Sequence, residues 1–75
     1  MEEAYGAKEL AAAISRFLDT LAYADKFLFM RRYWYADSLT DIAAMSGLRY
    51  KTVSVRLTRI KAKLKHYLMK EGLLV

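Results

Sequence analysis

The chain has 75 residues, of which 56% are hydrophobic, and it carries a formal net charge of +5 at pH 7. A chain this short folds as one small domain, and its hydrophobic fraction argues against disorder. With no proline and only three glycines, it has few of the turn residues that strands need, so an all-α fold is predicted over residues 1–75. The absence of cysteine excludes disulfides and zinc–cysteine sites.

The charges are distributed unevenly along the chain. Residues 1–48 contain five basic and seven acidic side chains, for a net charge of −2, whereas residues 49–75 contain eight basic and one acidic, for +7. This asymmetry favours a polyanionic partner for the C-terminal third, with a basic surface kept for solubility as the simpler alternative. Neither a signal peptide nor an apolar run of the ~20 residues that cross a bilayer is present, so we expect a cytoplasmic protein.

Hydrophobic periodicity and capping residues predict four helices, over residues 8–22, 26–35, 39–46 and 50–71. Residues 1–6 are expected to be a frayed start, and Asp25 is expected to cap the second helix. The apolar stripe of the first helix consists of Leu10, Ile14, Phe17, Leu18 and Leu21.

Residues 22–35 contain six aromatic side chains among fourteen residues. We expect most of them to be core or partly core, because the domain is short of apolar mass. Three short helices can hardly bury them all, so an aromatic surface formed by Tyr33, Trp34 and Tyr35 is a candidate partner-binding patch.

The third and fourth helices have clear boundary signals. Ser38, followed three residues later by Asp41, is typical of a capping box, and Gly47 can take the left-handed conformation that ends the third helix. Gly72 closes the fourth helix in the same way. The buried stripe predicted for the fourth helix consists of Val53, Leu57, Ile60, Leu64 and Leu68.

Two helices joined by a tight glycine-containing turn form a helix-turn-helix, whose second helix enters the major groove of DNA. The sequence places a small residue, Ala43, where the helices cross, Gly47 in the turn and Leu48 as a core plug. Val53 and Leu57 then anchor the long second helix. The outward side of that helix consists of Lys51, Ser54, Val55, Thr58, Ala62 and Lys65. Its first turns carry the short side chains Ser54, Val55 and Thr58, and the exposed residues further along become long and basic.

A wider set of residues follows one family pattern: Arg32, Tyr33, Ser38, Ile42, Ala43, Gly47, Leu48, Thr52, Val53, Arg56, Leu57, Arg59, Lys63 and Leu64. With these residues the chain resembles region four of bacterial sigma factors of the sigma-70 family, especially the extracytoplasmic-function type. The resemblance covers residues 14–72.

The chain departs from the family pattern at four places. Ala22 stands where the family often has proline before the second helix, and Asp41 replaces the capping-box glutamate. Arg49 replaces the serine or threonine that caps the recognition helix, which removes a cap worth ~1 kcal/mol. Ser46 replaces a large apolar residue before the turn glycine, and we expect Met45 to fill its place.

The resemblance implies binding of double-stranded promoter DNA at the −35 element, docking on the β flap of RNA polymerase, and an anti-sigma factor as a further candidate partner. The candidate base readers are Arg49, Tyr50, Lys51, Ser54, Val55 and Thr58. The candidate phosphate ligands are Arg32, Thr52, Arg56, Arg59 and Lys63. A sigma factor also needs a region that melts DNA, which 75 residues cannot hold, so we expect the chain to be a fragment of a longer protein, with a natural partial homologue as the alternative.

Enzyme chemistry has no candidate residues in this sequence. His66 is the only histidine, it has no carboxylate or thiol at helical spacing, and a glycine-rich phosphate loop is absent. We therefore expect no catalytic site, metal, cofactor or small-molecule substrate.

Two other functions remain open on the sequence. The first is a dimeric helix-turn-helix regulator that binds palindromic DNA without polymerase. The second is an interaction module whose aromatic surface binds a protein such as an anti-sigma factor. A basic helix lying on a membrane is less favoured, because the apolar stripe of the fourth helix is needed for packing.

Overall fold

The computed structural model describes residues 2–73, with side chains from residue 6 onward. Its elements are α1 (Glu2–Asp19), α2 (Tyr23–Phe29), a π-helical segment (Met30–Trp34) that continues α2, α3 (Leu39–Ser46) and α4 (Tyr50–Lys70). No strand occurs within residues 2–73. The predicted all-α fold with four helices, a helix-turn-helix and a long last helix is confirmed.

The first helix begins and ends earlier than predicted. Residues 2–6 are helical rather than frayed, because the alanine-rich stretch of residues 4–13 strongly favours helix. At the other end, the backbone N–H of Thr20 donates to the carbonyl oxygen of Phe17 at 2.9 Å, and its hydroxyl donates to the same oxygen at 2.6 Å. These local bonds end α1 after Asp19.

The capping role predicted for Asp25 is wrong. Ala22 occupies the N-cap position with an extended backbone and no side-chain cap, so α2 begins at Tyr23. Asp25 lies inside the first turn instead, where a negative charge is still favourable beside the positive end of the helix dipole.

The core lies where α1, α2, α3 and α4 meet. Leu10 belongs to the predicted stripe of α1 but is 37% exposed, and Ala13 is buried in its place. The stripe predicted for α4 is confirmed, since four of its residues are buried and Leu64 packs against them. The central cluster consists of Phe17, Leu28, Phe29, Ile42, Val53, Leu57 and Ile60.

The expectation that most aromatic residues of positions 22–35 are core is wrong. Phe29 is buried and Phe27 packs partly on the core, but the other four are exposed: Tyr23, Tyr33, Trp34 and Tyr35. In the π-helical segment the N–H of Tyr35 donates to the carbonyl oxygen of Met30 at 3.1 Å, five residues back. A π turn holds one more residue than an α turn, which moves the residues after it away from the core-facing register.

Both predicted glycine ends are confirmed. Gly47 has φ 75° and donates its N–H to the carbonyl oxygen of Ala43 at 3.0 Å, and Gly72 has φ 77°. The N–H of Leu73 donates to the carbonyl oxygen of Leu68 at 2.9 Å, which completes a Schellman ending for α4. Among the described residues, no helix combines the length and the apolar character needed to span a bilayer.

Candidate nucleic-acid interface

The turn between α3 and α4 sets the position of α4. Residues 47–49 join the two helices, which pack on each other, and Leu48 and Ala43 are partly buried against the core. The capping half of the predicted box is present, since Ser38 Oγ accepts a hydrogen bond from the N–H of Asp41 at 3.1 Å. The contact between α3 and α4, with this short turn between them, is a helix-turn-helix.

Ser46 stabilises the turn in a way that the sequence reading missed. Its hydroxyl donates to the carbonyl oxygen of Ala43 at 3.4 Å and accepts the N–H of Leu48 at 3.3 Å. Met45 does not fill the position of the family's large apolar residue, because it is 46% exposed. The polar side chain of Ser46 therefore replaces an apolar contact with two hydrogen bonds.

The start of α4 has no side-chain cap, as the presence of Arg49 predicted. Arg49 takes the extended backbone conformation of an N-cap residue, with φ −72° and ψ 150°, but its side chain accepts no hydrogen bond from the first turn. The first N–H groups of α4 are left for water or a ligand. An anionic group placed there would also face the positive end of the helix dipole.

The predicted site residues lie on two sides of α4. One shallow depression is formed by α4 and its N-cap alone, and it brings together three candidate base readers and three candidate phosphate ligands: Arg49, Lys51, Thr52, Val55, Arg56 and Arg59. Val55 is 40% exposed in the middle of this basic surface. We call these six residues the basic face.

The other two candidate base readers with short side chains lie on the opposite edge of α4. Ser54 and Thr58 line a second depression together with Arg32 and Tyr33 from the π-helical segment and with Lys61. Ser54 is half-buried there. Thr58 Oγ1 donates to the carbonyl oxygen of Ser54 at 3.0 Å, so its lone pairs, rather than its proton, are available to a ligand.

The last two candidates lie apart from both depressions. Tyr50 is exposed in the first turn of α4. Lys63 borders a third depression, which lies between α4 and the end of α1 and also contains Thr20, His66 and Lys70. The structure therefore does not gather all eleven predicted residues into one patch.

The cations of α4 differ in whether they are paired. Arg56 Nε lies 3.7 Å from Asp25 Oδ1, and both side chains are partly buried. Among the described side chains, none of the other α4 cations forms an ion pair. Four of these unpaired cations are exposed to solvent: Lys51 and Arg59 on the basic face, Lys61 on the opposite edge, and Lys63 beside the third depression. Only Arg56 among the predicted phosphate ligands of α4 is already engaged with an acid.

Arg32, the candidate phosphate ligand outside α4, is held by the chain that follows the π-helical segment. Its Nη1 donates to the carbonyl oxygen of Asp37 at 2.9 Å, while the neighbouring Arg31 donates from Nε to Asp37 Oδ2 at 2.6 Å. Since the carbonyl of Asp37 carries no net charge, this hydrogen bond restrains the Arg32 side chain without neutralising its positive charge. Ala36, with φ 60°, makes the turn between the π-helical segment and Asp37.

The π-helical segment was not predicted from sequence, whereas the exposure of Tyr33, Trp34 and Tyr35 on one aromatic surface was. The guanidinium of Arg31 lies 4.3 Å from the ring centroid of Tyr35, and the ring of Tyr33 packs against Phe29 with centroids 4.9 Å apart. Trp34 makes neither kind of contact and is 76% exposed. Nothing in the local sequence distinguishes a π turn from an α turn, so the π turn could not be predicted. The aromatic surface was predicted only from the number of aromatic residues.

The described residues contain no group of three or more histidine, cysteine, aspartate or glutamate side chains placed to hold a metal ion. Comparisons with protein-family models, with curated proteins and with solved structures found no match to this chain. The resemblance to region four of sigma factors therefore stands on its motif residues alone.

Proposed function

We propose that this domain binds double-stranded DNA in a sequence-dependent way through the first turns of α4. The observation that carries the proposal is the basic face itself. It presents a small apolar residue, Val55, between Lys51 and Arg59, two cations that no described acid neutralises. Small residues allow close approach to base edges, and flanking cations attract phosphates.

The geometry suits the major groove. That groove is ~12 Å wide and ~8.5 Å deep, so it admits one α-helix. The long α4 is expected to enter it with its first turns rather than along its whole length. In this arrangement Lys51 bonds guanine, Val55 contacts a thymine methyl and Thr58 accepts a hydrogen bond from an exocyclic amine. Arg49 and Tyr50 lie at the N-terminal end of the helix, where they reach the bases or the adjacent backbone.

The opposite edge of α4 supplies contacts to the second strand in the same arrangement. Ser54 is half-buried, which restricts it to a base that approaches along the edge shared with Thr58. Arg32 lines the same depression from the π-helical segment, and there it can bind a phosphate. Thr52 and Arg59 on the basic face, and Lys63 further along, bind phosphates on the other side.

The resemblance to sigma region four sets the biological context of the proposal. In that context the target is the promoter −35 element, the partner is the β flap of RNA polymerase, and the compartment is the cytoplasm where transcription occurs. The protein would act in transcription initiation as a binding module rather than as an enzyme. An asymmetric recognition motif bound by one copy distinguishes this role from that of a dimeric regulator on a palindrome.

A selection of random duplexes followed by binding titrations tests the proposal. We expect one asymmetric motif to be enriched and bound by a monomer, as measured by fluorescence anisotropy and sedimentation. Lys51→Ala should relax the preference at one base position, whereas Lys8→Ala, which removes the same charge from exposed α1, should not. Recovery of no motif by the wild-type domain would refute sequence-specific binding.

The aromatic surface favours a second candidate function, the binding of a protein partner. Tryptophan, tyrosine and arginine are enriched among the residues that dominate protein interfaces, and Trp34 is 76% exposed beside two exposed tyrosines. Titration of purified RNA polymerase core with wild type and with Trp34→Ala tests this role. A loss of polymerase binding with unchanged DNA binding would support it, and equal binding by both proteins would count against it.

A further inference from the structure

Asp25 and Arg56 form a contact between α2 and the basic face. Asp25 lies in the first turn of α2, and its Oδ1 atom is 3.7 Å from Nε of Arg56. That separation is ionic contact rather than a hydrogen bond. Asp25 Oδ1 is buried and accepts no hydrogen bond from any described residue. Among the described ion pairs, Arg56 is the only cation that contacts this buried carboxylate oxygen.

The compensation constrains Arg56. A carboxylate oxygen buried without a hydrogen bond or a nearby opposite charge is unfavourable, so removing Arg56 from Asp25 leaves only the helix dipole and the exposed part of the carboxylate to stabilise its charge. Arg56 is itself only 40% exposed at its side chain, in contrast to the solvent-exposed Arg59 one turn later. The arginine is held toward α2 while its neighbours on α4 remain free.

The same arginine borders two surfaces. It lines the basic face together with Arg49, Thr52 and Arg59, and it also lines an apolar depression beside Phe27 and Leu48. A phosphate at the basic face and the carboxylate of Asp25 would thus compete for one guanidinium. Lys26, next to Asp25 in sequence, does not take over the carboxylate, because its Nζ is paired with Asp19 at 3.7 Å.

We propose that Asp25 limits the affinity of the basic face for nucleic-acid phosphate by holding Arg56 against α2. This inference rests on the proposed DNA binding and refines it. Arg56 was predicted to be a phosphate ligand; in the folded protein its guanidinium is in ionic contact with Asp25, and phosphate binding relies mainly on Arg59 and the other unpaired cations. Asp25 is a positioning residue that acts through Arg56.

The test uses Asp25→Asn, which preserves side-chain shape and removes the charge. Its matched control is Asp19→Asn, which makes the same charge change in a pair that does not involve α4. The probe is a mixed-sequence 20-base-pair duplex titrated at several salt concentrations. If the Asp25→Asn change frees Arg56 to bind one phosphate, the slope of log K, the association constant, against log salt steepens by ~0.9. Binding at 0.1 M salt then tightens ~8-fold.

We expect that gain for Asp25→Asn, no change in slope for Asp19→Asn, and no gain for Asp25→Asn when Arg56→Ala is also present. Equal slopes for the two asparagine variants, or a gain that persists without Arg56, would overturn the inference. A lowered affinity for Asp25→Asn would overturn it as well, since that result means Asp25 orients Arg56 toward DNA.

A second comparison does not depend on the folding of Asp25→Asn. Arg56→Ala should flatten the salt slope by less than half of the amount lost in Arg59→Ala, and equal losses would contradict the inference. Failure of the wild type to bind duplex at low salt would remove the proposed function and this inference together. Binding by the wild type with matching Asp25→Asn and Asp19→Asn slopes would remove the inference alone.

Discussion

Gly47 donates its backbone N–H to the carbonyl oxygen of Ala43 at 3.0 Å while its own φ is 75°. This bond ends α3 at the residue where the chain must reverse toward α4. The left-handed conformation costs ~1–2 kcal/mol for a residue with a Cβ atom, and glycine avoids that cost. The direction of α4, and with it the basic face, depends on this one backbone conformation.

Replacement of Gly47 by alanine should therefore destabilise the domain by ~1–2 kcal/mol. A Cβ atom at this position meets nothing within 4 Å, so the expected loss is conformational rather than steric. Urea unfolding followed by circular dichroism measures it. Gly6→Ala is the control, because Gly6 is helical and equally open, and it should gain ~0.5–1 kcal/mol. A neutral Gly47→Ala variant would contradict this account of the turn.

Arg49→Ser should stabilise the domain and weaken DNA binding. The N-cap backbone is already extended, and a serine hydroxyl there can accept an N–H of the first turn, for a gain of ~1 kcal/mol. The same change removes a cation from the basic face. Thermal unfolding and anisotropy on one duplex measure the two effects.

The matched variant is Ser38→Ala, which removes the cap of α3 and should lose ~1 kcal/mol. Ser38 does not belong to the basic face, so its loss should leave the affinity of the folded protein for DNA unchanged. If Arg49→Ser strengthened DNA binding, Arg49 would not be a ligand.

Phe29→Ala and Trp34→Ala should have very different effects on stability. Phe29 is 8% exposed in the central cluster, and its truncation should cost ~3–5 kcal/mol, which is most of the stability of a small domain. Trp34 is 76% exposed, and its truncation should change stability by less than ~0.5 kcal/mol. Urea midpoints measure both. A large loss for Trp34→Ala would show that the aromatic surface belongs to the fold rather than to a partner site.

The sequence predicted the helical elements well where the signal was local. The spacing of Val53, Leu57 and Ile60 reports a single buried stripe, because 3.6-residue periodicity depends only on which side of the helix meets the core. Ser38 and Gly47 act within one turn of their own position, so their capping roles could also be read directly.

The features that sequence reasoning missed depend on contacts between distant residues or on a change of helical register. The π-helical segment shifts the helical register after Met30 without any distinctive residue of its own. The contact of Asp25 with Arg56 joins residues that are 31 positions apart, and no periodicity links them. Such pairings arise from how α2 packs on α4, and local sequence patterns do not reveal that packing.

Base reading and phosphate binding should separate in two variants of α4. Lys51→Ala should cost ~1–3 kcal/mol of discrimination at one base position while largely preserving affinity for unrelated duplexes. Arg59→Ala should weaken binding to all sequences alike and flatten the salt slope by ~0.9. Competition titrations on the selected duplex and its single-base variants measure both. Indistinguishable profiles for the two variants would invalidate the division of roles.

The salt dependence of duplex binding by the unmodified domain tests the central claim most directly. If four to five of the unpaired cations of α4 and Arg32 contact phosphates, log K should fall linearly with log salt, with a slope of about −3.6 to −4.5. A random duplex should show this slope, and the selected duplex should bind more tightly at every salt concentration. A slope near zero, or equal affinity for both duplexes, would contradict the proposal that α4 recognises DNA.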